Sequence, residues 1–115
     1  MAKNLIQEGD VLRLTVDSSV KSGDPVVVGA FHGVALTDYS ATDGKADISL
    51  TRVFDLSVKG VDGVGNSAVI IGDKIYFVNA DTPKLSKKNT GDYFGIALGL
   101  VSGGETATIP VKIAP

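Results

Sequence analysis

The residues best placed to do chemistry are carboxylates beside glycines. Three Gly-Asp pairs, Gly9-Asp10, Gly23-Asp24 and Gly72-Asp73, stand just ahead of apolar runs in "EGDVLRLT", "SGDPVVVG" and "IGDKIYFV", and Gly91-Asp92 is a fourth pair in the chain. Carboxylates on such corners can ligate metals or move protons. They can also do something plainer. Glycine takes positive φ at no steric cost, and the neighbouring Asp accepts hydrogen bonds from nearby backbone N–H groups. Such a pair turns the chain and releases it as a strand. Three strand starts are distributed over a fold and do not converge on one substrate, so the three pairs are expected to be structural turns.

The other candidates are weaker. His32, in "AFHGV", is the single histidine. Catalysis would require a nucleophile and an acid converging on it, and the sequence offers no nucleophile elbow, no cysteine and no paired-histidine metal motif; a turn histidine is expected. "GVDGVGNS" carries Gly63 and Gly65 at Gly-x-Gly spacing. No Gly-Lys-Ser/Thr and no periodic helix follow it, as a phosphate loop requires. "DGKAD", Asp43 to Asp47, is half a calcium loop without the later bidentate Glu; a turn is the expectation. "KLSKKN", Lys84 to Asn89, is the one basic cluster, and Pro83 beside it marks a solvated loop. Glu105 and Asp92 stand alone, so no general acid–base pair can be assigned. The sequence predicts no enzyme, no cofactor, no metal and no small-molecule substrate.

The elements that carry these residues are short strands. A length of 115 residues suits one domain with one core, burying roughly two thirds of its unfolded surface. With 11 Lys+Arg against 13 Asp+Glu, scattered in sign, the chain shows none of the basic stripe with interleaved aromatics that nucleic acid selects. The absence of cysteine leaves stability to packing or assembly. No apolar run approaches the ~20 residues of a membrane span, and "MAKNLIQEGD" lacks a signal-peptide core; a chain made and kept in a soluble compartment is expected.

"DVLRLTVD" alternates, with Leu12, Leu14 and Val16 on one face. "PVVVGA" reads as a strand buried on both sides, joined through Ala30 to Gly33 to "GVALTD". "ADISLTRVFDLSV" reads as one strand with Ile48, Leu50, Phe54 and Leu56 on a shared parity. Arg52 breaks that parity, and is placed at a strand end or facing a partner subunit. "KGVDGVGNSAVI" is an irregular connection with a brief helical turn. "DKIYFVN", a short strand within "TPKLSKKNTGD", and "YFGIALGLV", expected to be a buried run, follow. "TATIPVKI" closes the chain with Ala107, Ile109, Val111 and Ile113 inward, and Pro110 outward, as suits an edge strand or bulge. Seven to nine short strands predict an all-β barrel or sandwich: a single small β domain over 9–115, preceded by a flexible arm at 1–8.

A second element recurs beside Gly-Asp. "GVAL" at Gly33 to Leu36 and "GIAL" at Gly95 to Leu98 lie nine positions after Asp24 and 22 after Asp73, so the second copy carries 13 more residues, matching "NADTPKLSKKNTG". Two similar β-units in one barrel are predicted.

Taken in order, "MAKNLIQEGD", "SGDPVVVG…GVALTD", "VFDL", "GDKIYF" and "GIALGLVSGGETATIPVKI" resemble a family of capsid cement, or head decoration, proteins of tailed phages and prophages. The resemblance spans nearly the whole chain and rests on block order. It implies a non-enzymatic virion protein, made in the host bacterial cytoplasm, that binds the major capsid protein on the outside of an expanded capsid as a homotrimer. Arg52 is a candidate subunit contact. The arm before the first corner, with Lys3, Asn4, Leu5 and Ile6, is a candidate to add as a strand onto a capsid loop. The competing function is a carbohydrate- or host-surface-binding module of a virion. Seven aromatics and no Trp leave little to stack on a sugar.

Overall fold

A computed structural model of the protein describes residues 11–114. Within them the chain is all-β and contains no helix. Val11–Thr15 (β1), Pro25–Val28 (β2), Phe31–Ala35 (β3) and Lys45–Ser49 (β4) form an antiparallel sheet in the order β1-β4-β3-β2. Val53–Lys59 (β5), Lys74–Phe77 (β6), Leu85–Ser86 (β7), Asp92–Ala97 (β8) and Thr106–Ile113 (β9) close into a barrel in the order β5-β7-β6-β8-β9.

These two assemblies are two copies of one unit. The order β1-β4-β3-β2 is matched by β5-β9-β8-β6, with every one of those pairs antiparallel. Registers agree apart from one bulge, where β6 and β8 skip Phe94 between the Ile75↔Gly95 and Tyr76↔Tyr93 pairs while β2 and β3 run on from Val26↔Gly33 to Val27↔His32. Val11 pairs with Ser49 where Val53 pairs with Lys112, and Ala35 pairs with Ile48 where Ala97 pairs with Val111. Even the close approaches repeat: a Cβ on Gly33 would meet the Ser49 carbonyl and the Ile48 side chain, and a Cβ on Gly95 would meet the Lys112 carbonyl and the Val111 side chain. Glycine is required at both because backbone crosses backbone there.

The 13-residue insertion of the second copy contains β7. That strand runs parallel to β5, through Val58↔Leu85 and Lys59↔Ser86, and antiparallel to β6, through Tyr76↔Ser86 and Phe77↔Leu85. It fills the seam that the first copy leaves between β1 and β2. The insertion is what turns an open sheet into a barrel.

Burial follows the duplication. Instead of one core there are two clusters. The larger fills the barrel around Phe94, Ile75, Leu85, Val58 and Val111, and reaches Val34 of the sheet; the smaller joins Val20, Val26, Ala35, Ala46 and Ile48. Each aliphatic side chain so buried contributes roughly 1.5–3 kcal/mol. β2 serves both, since Val26 sits in the smaller cluster while the half-buried Val27 packs on the larger. The strand read as buried on both faces thus does face two cores, though Pro25, Val27 and Val28 are only partly covered.

Four expectations are corrected. The segment 46–58 is two strands, β4 and β5, separated at Leu50 to Arg52; Arg52 has φ 83, a left-handed backbone costing a non-glycine residue roughly 1–3 kcal/mol, and the chain leaves the sheet for the barrel there. The β2–β3 turn is Gly29-Ala30, since Val28 pairs with Phe31; Gly29, with φ 60, supplies the positive φ that a two-residue hairpin turn needs at its first position. Residues 59–70 contain no helical turn, only the bridges Val61↔Asn66 and Val69↔Val101. Pro110 is on no edge: β9 pairs with β5 through Asp55↔Pro110 and with β8 as far as Val111, after which the Leu98 N–H donates to the Pro110 carbonyl at 2.9 Å. A proline is tolerated there because the β8 ladder is already ending.

Candidate functional site

The Gly23-Asp24 and Gly72-Asp73 corners use one hydrogen-bond scheme. At the first, Gly23 has φ 92, the Lys21 N–H donates to Asp24 Oδ2 at 2.9 Å, and Asp24 N–H donates to the Lys21 carbonyl at 3.0 Å. At the second, Gly72 has φ 95, Ile70 N–H donates to Asp73 Oδ2 at 2.9 Å, and Asp73 N–H donates to the Ile70 carbonyl at 3.1 Å. Both are locked to the "GVAL" and "GIAL" strands. Gly23 N–H donates to Ala35 O at 2.7 Å and Ala35 N–H to Asp24 O at 2.9 Å; Gly72 N–H donates to Ala97 O and Ala97 N–H to Asp73 O, each at 2.8 Å. The Ile70 amide, assisted by Lys87, holds the Asp73 carboxyl below the usual carboxylate range. These carboxylates are occupied by the backbone they bend. Gly9-Asp10 and the arm residues Lys3, Asn4, Leu5 and Ile6 lie outside the described residues.

The other polar candidates are likewise engaged. Arg13 on β1 forks onto Asp43, with Nε to Oδ2 at 2.8 Å and Nη2 to Oδ1 at 3.0 Å, and reaches Asp47 Oδ1 at 3.1 Å through Nη1. The guanidinium holds the Asp43 carboxyl below its usual range, and it takes the oxygens a cation would need from "DGKAD". In the "GVDGVGNS" loop, the Val64 and Gly65 N–H groups donate to Asp62 Oδ1 at 2.8 and 3.0 Å, which lowers the Asp62 pKa. The amides that a phosphate would use already hold a carboxylate. In "KLSKKN", Lys88 pairs with Asp81 at 2.7 Å, and Lys87 pairs with Asp73 at 3.2 Å and donates to Ala68 O at 3.0 Å. Lys84 lies over the Phe77 ring, 5.7 Å from its centroid. The cluster straps the insertion to the barrel.

His32 is a strand residue, not a turn residue. It stands half-buried in β3, with Nε2 donating to the Ala114 carbonyl at 2.7 Å and its ring centroid 5.9 Å from that of Phe94. It ties the sheet to the last strand of the barrel. Gly33 misled the sequence reading, because that glycine serves a close approach and no turn. Among the described residues no group of three or more His, Cys, Asp or Glu side chains could hold a metal ion.

What the sequence reading missed is an apolar face. Ile70, Ile71, Leu98 and Leu100 are exposed, Ile71 at 64% and Leu100 at 67%. Their segments are held side by side by the Val69↔Val101 bridge and the Gly72 N–H bond to Ala97 O. In the first copy the same backbone positions are Lys21, Ser22, Leu36 and Asp38, and there Ser22 N–H donates to Asp38 Oδ1 at 2.8 Å while Ser22 Oγ donates to Leu36 O. The corner folds as well with polar side chains at three of these four positions, Leu36 alone being apolar and exposed like Leu98. Apolar ones in the second copy are therefore surface chemistry rather than a folding requirement, and a cluster of this kind marks a contact surface. Comparing the two Gly-Asp blocks position by position in the sequence would have found it.

Ionised side chains that close turns, two glycine-crossed β units and one apolar face together define a class: an all-β scaffold protein with a docking surface. The family is then specific. Residues 6–113 match the model of the phage cement proteins, and the chain belongs to that family. Membership gives it a structural role at the phage capsid, as a capsid-associated protein of the virion. No curated protein and no solved structure matches the chain.

Proposed function

We propose that the protein binds the outside of the expanded capsid, without catalysing a reaction, and stabilises the shell by bridging neighbouring capsid subunits. The observation that carries this reading is the face of Ile70, Ile71, Leu98 and Leu100, apolar at Ile70, Ile71 and Leu100 where its duplicate has Lys21, Ser22 and Asp38. Burying such a face against a capsid subunit removes apolar surface from water at no cost to the fold.

The mechanism is mass-action linkage. A protein that binds only the expanded lattice stabilises it by about 2.7 kcal/mol per site at a hundredfold excess over Kd. Contacts to several subunits add avidity, because the later ones form intramolecularly. In this reading the active unit is a homotrimer, with Arg52 and the neighbouring exposed Val53 at the contact between copies. The arm at 1–8, through Lys3, Asn4, Leu5 and Ile6, adds as a strand to a capsid loop. Synthesis in the host bacterial cytoplasm precedes assembly on the shell.

The test is co-sedimentation of the purified protein with bare expanded capsids. Wild type is expected to pellet with them at a fixed ratio, and the Ile71→Asp, Leu100→Asp double variant to remain in the supernatant while melting as wild type does. Equal pelleting of both would remove the apolar face from the account.

A further inference from the structure

The duplication also shows what the first unit lacks. In the second unit the seam between β5 and β6 is filled by Leu85-Ser86; in the first, the corresponding seam between β1 and β2 holds no strand among the described residues. A groove of about 440 Å³ lies along it, lined by Thr15 to Asp17 at the end of β1, by Pro25 to Val28, and by Phe77 and Lys84 of the barrel. The registers place the missing strand. Since Val11 corresponds to Val53, Val16 and Asp17 stand where Val58 and Lys59 stand; since Val26 and Ile75 both pair with the crossing glycine, Val27 and Val28 stand where Tyr76 and Phe77 stand. A strand laid as β7 is laid would put one residue between Val16 and Val28 and the next between Asp17 and Val27. These four residues all line the groove.

From this we infer that the β1–β2 seam is a strand-accepting site, filled by an extended segment of a capsid subunit that runs antiparallel to β2 and parallel to β1. The choice of a capsid subunit rests on the function proposed above; the site itself rests on the duplication. The chemistry of the occupant can be read from the groove. Leu85 is completely buried and Ser86 nearly so, so the seat between Val16 and Val28 calls for an aliphatic side chain and the next for a small one. Asp17, Asp24 and Asp92 line the groove against the single Lys84, so Lys or Arg should flank that pair. Pro25, at the start of β2, withholds one N–H from the exposed edge, which discourages unselective strand pairing. The groove belongs to the first unit and the apolar face to the second, so one molecule can hold two capsid subunits at once.

Hydrogen exchange of the full-length protein, free and on bare expanded capsids, tests the inference, with Val28→Lys as the blocking variant. Val28 is half-buried at the groove, and Lys there sets a cation where the occupant's aliphatic side chain would sit. Binding should protect the amides of Asp17 and Val27, which face the seam because Val16 N–H already donates to Gly44 O, at least tenfold, and V28K should bind capsids roughly 10- to 30-fold more weakly with an unchanged far-UV spectrum. Wild type that binds capsids without new protection at Asp17 and Val27 overturns the strand-accepting site and leaves the cement function standing. Wild type that does not bind capsids overturns the function. Protection at Asp17 and Val27 that rises with protein concentration in the absence of capsids identifies a second copy as the occupant and overturns the assignment to a capsid subunit.

Discussion

Leu85→Ala should open the barrel. Leu85 is completely buried and lies on the two-residue strand that joins β5 to β6, so its side chain seals the seam as well as filling the core. Truncation to Ala loses the transfer free energy of the deleted carbons and leaves a cavity, together about 3 kcal/mol. At roughly 2.1 cal/mol/K per residue, the unfolding entropy of 115 residues converts this to a fall in Tm of about 12 °C. The loss should also be local. Amides at Val58–Lys59 and Tyr76–Phe77, the residues that face β7, should exchange faster than those of β1 and β4, which β7 does not touch. Leu98→Ala, on the exposed face, is the matched control and should cost less than about 0.5 kcal/mol. Urea unfolding of the three proteins, with exchange read by mass spectrometry, measures both quantities. A loss below about 1 kcal/mol for L85A, or exchange raised evenly over both units, would refute the view that the insertion exists to close the barrel.

Four further outcomes follow from the same geometry. Gly33→Ala and Gly95→Ala should be damaging to a similar degree, each costing about 2–4 kcal/mol or abolishing soluble expression, because each Cβ meets a backbone carbonyl across the sheet; denaturant midpoints check this. The folded-state pKa of Asp73 is lowered by the Ile70 amide and Lys87, so its contribution is present above the unfolded carboxylate pKa and fades as pH falls through the folded one. Asp73→Asn should therefore cost about 1 kcal/mol at pH 7, and the gap from wild type should close in titrations carried below pH ~4. Arg13→Ala breaks an exposed, solvent-screened network and should lower Tm only slightly, and by less in 1 M salt, with calcium leaving Tm unchanged. Arg52→Gly relieves the left-handed backbone and should hold monomer stability within about 1 kcal/mol, while light scattering should show a weakened trimer.

Alternation and turn chemistry made most strands legible, and the Gly-Asp repeat with its insertion carried real information about topology. Why the rest was missed is physical. Parity survives the corner at Arg52, since Ile48 and Leu56 are both buried on different strands; only the charged residue out of phase marked the break. The matching strands "VLRLTV" and "VFDLSV" begin the two units, yet share too few identities to announce a duplication by themselves. Gly33 read as a turn residue, whereas it and Gly95 are glycines because another backbone crosses them, and a crossing of that kind leaves no local signal. Pro110 looked like an edge marker because the sequence does not say where a neighbouring ladder stops. For the candidate surface, periodicity was silent on Ile70 and Ile71 and counted Leu98 and Leu100 in a buried run, whereas all four are exposed. The duplicate corner, built from Lys21, Ser22 and Asp38, supplies the comparison that makes them meaningful.

Scanning calorimetry of bare expanded capsids, titrated with this protein, addresses the shell-stabilising role most directly. The transition for shell disruption should climb with protein concentration and level off once a fixed number of copies is bound. A transition that stays where it was, with the protein recovered entirely unbound, would contradict that role.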